Sequence, residues 1–102
     1  MIFVIAESIL KDEAATAEFI RIAKANLATV RAEKGCISYD LNADCTEGPA
    51  AANAKANVLT FVECWESLEA LQAHLAAPHM KVFAEKARQL RESSVLKVVT
   101  PV

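Results

Sequence analysis

The run Val58 to Trp65, VLTFVECW, constrains this chain more than any other segment. Leu59, Phe61, Glu63 and Trp65 alternate with Val58, Thr60, Val62 and Cys64, which is the period of a β-strand, and both sets are largely apolar. A strand with apolar residues on both sides needs cover on both faces of its sheet. It is therefore expected in a sheet interior, with helices over one face and a second surface over the other.

The flanking segments supply that sheet and its helices. Met1 to Leu10 is β-branched and apolar, and Asp12 is placed to cap a helix that starts at Glu13. In that helix Phe19, Ala23, Leu27 and Val30 recur at helical spacing, with Glu18, Arg21, Lys24 and Arg31 opposite them, and Gly35 is suited to close it. Cys36 to Asp44 alternates again, with Ile37, Tyr39 and Leu41 against Ser38, Asp40 and Asn42. Cys45 to Asn57 holds Gly48 and Pro49 and reads as an irregular excursion. Ser67 can cap a second helix with Leu68, Leu71 and Leu75 as its buried stripe. Pro78 interrupts it and opens a third helix reaching about Glu92, with Met80, Phe83, Ala87 and Leu90 inward. Ser94 to Thr100 is a last strand. The order βαββααβ predicts an α+β, ferredoxin-like antiparallel sheet with helices on one face, as a single domain over residues 1–102. Two such sheets closing face to face would form a dimeric α/β barrel, so a homodimer is expected. The hydrophobic content of 54% agrees with some apolar surface meeting another subunit.

Charge narrows the function classes. A net charge of −2, with Lys and Arg scattered among acids, lacks the basic stripe that phosphate neutralisation requires, so nucleic acid is not an expected partner. Glu85, Lys86, Arg88, Arg91 and Glu92 read as a solvated helix face. Met1 to Leu10 carries Glu7 and no basic leader, and no run approaches the roughly 20 apolar residues of a membrane span, so a cytoplasmic, membrane-free protein is expected. Cys36, Cys45 and Cys64 fit no zinc spacing or disulfide framework and are expected as reduced thiols, not needed for chemistry.

Few residues could carry chemistry. Trp65, the only tryptophan, is either a core aromatic or the wall of a pocket for an aromatic ligand, with one N–H to offer its oxygens. Glu63 lies on the same strand face, where a carboxylate is costly unless it is paired with Arg or Lys from the long helix or functional. His74 and His79 are the only histidines. Pro78 removes the geometry that would place both imidazoles on one helix face, and no third ligand is evident, so no metal site is expected. A single histidine, with an ordinary pKa near 6.5, suits the acceptance of a phenolic proton. With two glycines and no glycine-rich fingerprint, flavin or nicotinamide binding has no sequence support.

The segment Phe61 to Phe83, FVECWESLEALQAHLAAPHMKVF, together with Glu33 to Tyr39, EKGCISY, and Asp44 and Cys45, resembles the antibiotic-biosynthesis-monooxygenase family, in particular its quinol monooxygenase branch. The resemblance implies a ferredoxin-like homodimer that oxidises a quinol or related small aromatic with O₂, without metal or other cofactor. It also implies a pocket in which Trp65 supplies the indole, His74 the base, and Tyr39 a secondary polar contact. Glu63 is the reserve candidate for the base, and Ser8, Phe61, Phe83 and His79 complete the expected substrate contacts. Trp65 and His74 are expected to face one cavity, with His74 reaching over the strand-one end near Ser8. Ser8 stands where relatives that cleave haem or oxidise polyketides carry Asn, and no Tyr lies between Leu68 and Ala77, so neither activity is expected. A cofactor-free isomerase of a small signalling dione or sugar, and a non-catalytic small-molecule-binding dimer, are the competing readings.

Overall fold

A computed structural model describes residues 1–102. The elements run β1 (Ile2–Leu10), α1 (Glu13–Arg31), β2 (Cys36–Ala43), β3 (Val58–Trp65), α2 (Leu68–Ala76), α3 (Pro78–Leu90) and β4 (Arg91–Val99), with a single 3₁₀ turn at Ala51–Asn53. The strands form one antiparallel sheet in the order β2-β3-β1-β4. This is the ferredoxin-like α+β arrangement, and β3 lies inside the sheet as its two apolar sides require.

Local chemistry sets the element ends. The Asp12 carboxylate accepts from Ala15 N at 2.7 Å, and the Ser67 hydroxyl accepts from Ala70 N at 3.1 Å, each satisfying an amide that the first helical turn leaves free. Pro78 opens α3 at a position where its missing N–H costs nothing. Gly35 closes the turn after α1 with φ +85°, and a Cβ there would come within 2.5 Å of Ala70 Cβ, so both the backbone and the approach of α2 demand glycine.

The helices bury one sheet face. Phe19, Ile22, Ala23 and Val30 of α1, Leu71 of α2, and Phe83 and Ala87 of α3 close over Val4, Leu10, Tyr39, Leu59, Phe61 and Trp65. By strand register Ile5, Val62, Val95 and Val99 share the opposite face, and all four are exposed. The edge strand β4 is uncovered on both sides, since Leu96 and Val98 on the helix side are exposed too. No helix is long and apolar enough to cross a membrane.

Three details depart from the sequence reading. In α2 the buried residues are Leu71 and His74, while Leu68 and Leu75 are each 49% exposed. The helix is turned so that an imidazole, not a third leucine, enters the core. Ile37 is exposed and Cys36 packs on the core instead, because a register shift between Cys36 and Ser38 breaks the alternation. α3 stops at Leu90, so Arg91 belongs to β4 and is half-buried, not part of a solvated helix face.

Candidate active site

Strand β3 and helix α2 bring Trp65 and His74 together. Trp65 ends the strand, Ser67 caps the helix, and His74 returns on the buried side of α2 so that the two rings lie 4.6 Å apart at 34°. Trp65 is fully buried and His74 is 1% exposed. Further rings continue the contact along the sheet: Tyr39 lies 5.5 Å from His74 and stacks on Phe61 at 4.9 Å, and Phe61 meets Phe19 and Phe83 at 6.2 and 6.1 Å. Burial pushes the Tyr39 phenol well above the usual range, reinforced by the carboxylates of Glu63 and Glu33, which keeps it a neutral hydroxyl.

Glu63 takes neither of the Arg or Lys partners expected from α1. Its Oε1 accepts the Trp65 indole N–H at 2.9 Å. The alternation of β3 explains this, since residues 63 and 65 project to the same face. At 5% exposure, burial raises the Glu63 carboxyl above the ordinary range, against the opposing effects of the indole N–H and of His74. A carboxyl of this kind takes up a proton more readily than a surface glutamate.

His74 Nδ1 lies 2.7 Å from Glu33 Oε2, and His79 Nε2 lies 3.5 Å from the same oxygen. Glu33 follows the end of α1 in the turn that Gly35 closes, 41 residues before His74. Sequence reasoning identified no third polar group beside the two histidines, and Glu33 is that group. Its only signal was membership in the Glu-Lys-Gly-Cys segment. His79 also borders a groove of about 320 Å³ between α1 and α3, with Ile22, Asn26, Val82 and Phe83 among its lining residues.

Ser8 does not join this cluster. Ile2 pairs with Trp65, whereas Ser8 pairs with Leu59. Six residues along an antiparallel strand amount to roughly 20 Å, so His74 sits at the opposite end of β1 from Ser8. There the Ser8 hydroxyl accepts from Arg91 Nε at 3.0 Å, and the Arg91 guanidinium lies over Phe19 at 5.8 Å. The two rings touch where a single cavity between Trp65 and His74 was expected, and neither residue lines the groove between α1 and α3. Of the expected site residues, Trp65, His74, Glu63, Tyr39, Phe61 and Phe83 thus form one buried run. His79 touches it through Glu33, and Ser8 stands apart.

The family model described as "Antibiotic biosynthesis monooxygenase" matches residues 1–86. The chain belongs to that family. Among curated proteins it is similar to "Probable quinol monooxygenase YgiN" of Escherichia coli (strain K12), 37% identical over 60 residues, covering 59% of this chain and 58% of that protein. The chain thus spans less than two thirds of the relative it matches. Among solved structures, Rv0793 from Mycobacterium tuberculosis superposes with a TM-score of 0.82 at 25% identity, covering 99% of this chain and 94% of that one. A structure described as an antibiotic biosynthesis monooxygenase gives 0.83 at 20% identity, over 100% of this chain and 99% of the other. At that identity the second likeness concerns the fold alone.

Proposed function

We propose that this member of the antibiotic-biosynthesis-monooxygenase family is a cofactor-independent monooxygenase that oxidises a quinol or related small aromatic with O₂. The observation that carries the reading is the imidazole of His74 packed against the Trp65 indole at 4.6 Å, buried among aromatic rings, with the Glu33 carboxyl 2.7 Å from its Nδ1. A base enclosed by flat apolar walls suits a planar phenolic substrate, and the similarity to a protein named as a quinol monooxygenase points the same way.

In this scheme the substrate hydroxyl gives its proton to His74. The resulting quinolate passes one electron to O₂, and the radical pair joins to form a carbon–oxygen bond. The ring peroxide takes that proton back, and the hydrogen on the same ring carbon is lost as the O–O bond breaks, so one oxygen stays as a carbonyl oxygen of the hydroxyquinone and the other leaves with the two protons as water. Quinol plus O₂ thus balances against hydroxyquinone plus H₂O. Trp65 orients the ring and Tyr39 offers a neutral hydroxyl. Opening of the Trp65 and His74 contact on binding belongs to this reading, because the two rings touch in the free chain.

The protein is also proposed to act as a cytoplasmic homodimer joined across the sheet face that bears Ile5, Val62, Val95 and Val99. Sedimentation at micromolar concentration is expected to give twice the chain mass, and a monomer would contradict it. Activity is tested with a reduced naphthoquinol. The expected result is O₂ uptake above the spontaneous rate with one oxygen from ¹⁸O₂ retained in the product. Proton exchange without O₂ uptake would instead indicate isomerase chemistry, and tight binding without turnover a non-catalytic module.

A further inference from the structure

Glu33 is the charged group closest to the proposed base. His74 is met by Glu33 from the turn after α1, by Glu63 from β3, by Tyr39 from β2 and by His79 from α3, and of these only Glu33 bonds its ring. A carboxylate accepts hydrogen bonds and does not donate them, so the 2.7 Å contact of Glu33 as a carboxylate matches the tautomer of His74 that bears its proton on Nδ1. In that tautomer Nε2, which makes no hydrogen bond within the chain, carries the lone pair. The carboxylate is itself held. Gly35, whose conformation and fit against Ala70 fix the turn, docks that turn on α2, Glu66 N donates to Gly35 O at 2.8 Å, and His79 approaches the same Glu33 oxygen from α3.

We propose that Glu33 is a positioning residue for the oxidation: it fixes the Nδ1–H tautomer of His74, leaves Nε2 to receive the substrate proton, and neutralises the imidazolium that forms. The inference rests on the assignment of His74 as the base. It gives the two histidines unequal tasks, since His79 meets Glu33 at the longer distance and serves to hold the carboxylate. Glu33 does not touch substrate in this account, so its loss acts on turnover and not on binding.

Two measurements test it on the intact protein. A long-range ¹H–¹⁵N correlation spectrum of the unmodified chain, at a pH where the imidazole is neutral, reads which nitrogen of His74 bears the proton. Nδ1–H is expected, and a dominant Nε2–H form would overturn the proposal without any variant being made. With the naphthoquinol, Glu33→Gln is expected to lower kcat by about 10² or more, the scale of a lost general base, with KM little changed. Glu33→Asp should recover part of that loss, and adding Glu33→Gln to His74→Ala should slow the reaction no further than His74→Ala alone. Additive losses, or a wild-type kcat in Glu33→Gln, would contradict it. If His74→Ala itself reacts like the wild type, the base assignment fails, and the tautomer spectrum still decides whether Glu33 sets the ring.

Discussion

The two ends of the helix-covered sheet face handle charge in opposite ways. At the Trp65 end, the titratable imidazole of His74 faces a carboxylate on Glu33, with a second on Glu63 nearby. At the Ser8 end, the permanent cation of Arg91 is held by a hydroxyl and an aromatic face, and burial lowers its pKa against the opposing effect of Tyr39. The first end is the one to which the proposed mechanism assigns proton transfer, with the Glu33 carboxyl 2.7 Å from the His74 ring. The second holds a charge that does not change in any accessible pH range, so it is built to be static. The titratable pair and the permanent cation thus stand at opposite ends of an otherwise continuous aromatic interior.

Stability changes should reflect the same division. The largest loss is expected for Trp65→Ala, about 3–5 kcal/mol by urea unfolding, because a fully buried indole leaves a cavity among rings that cannot collapse into it. A loss under 1 kcal/mol would mean that this end is loosely packed. Gly35→Ala should cost about 2–4 kcal/mol, combining a left-handed backbone with a clash against Ala70. Thermal unfolding would measure it, and a neutral result would show that the turn carrying Glu33 adapts easily. Ser8→Ala at the other end should cost only about 1 kcal/mol, since Arg91 keeps its place over Phe19 and part of its access to water. A larger loss there than at Gly35 would break the comparison.

The subtlest difference is a slope. The folded-state pKa of Glu63 is raised, chiefly by burial, so its favourable contribution is complete below the unfolded value of about 4.3 and is lost as pH rises through the folded value. Glu63→Gln does not titrate, so its stability relative to wild type should increase from about pH 4 toward neutrality. Denaturant melts across that window would show it, and a stability of Glu63→Gln relative to wild type that fell as pH rose would reverse the sign.

Local signals were readable in the sequence. The span Val58–Trp65 and its place inside the sheet follow from alternation, and Asp12, Ser67 and Pro78 mark helix starts through the amides they satisfy or lack. The facing of α2 was not readable, because its nine residues offer several apolar stripes and the core selects one containing His74. The exposure of Ile37 depends on a bulge that no residue type announces. Arg91 follows Leu90 with no breaker between helix and strand, so charge pattern alone left it on α3. In the site, Trp65 and His74 were legible through a short strand-to-helix link, whereas the pairing of Glu33 with His74 joins residues 41 apart and exists only in three dimensions.

The central claim is that His74 takes the substrate proton at the Trp65 end. Its most direct test is O₂ uptake by wild type and His74→Ala with a reduced naphthoquinol, after subtraction of spontaneous oxidation and with folding of both proteins checked by circular dichroism. The account predicts a folded His74→Ala protein whose turnover falls by about 10² to 10⁴. A folded variant that consumes O₂ at the wild-type rate would contradict it.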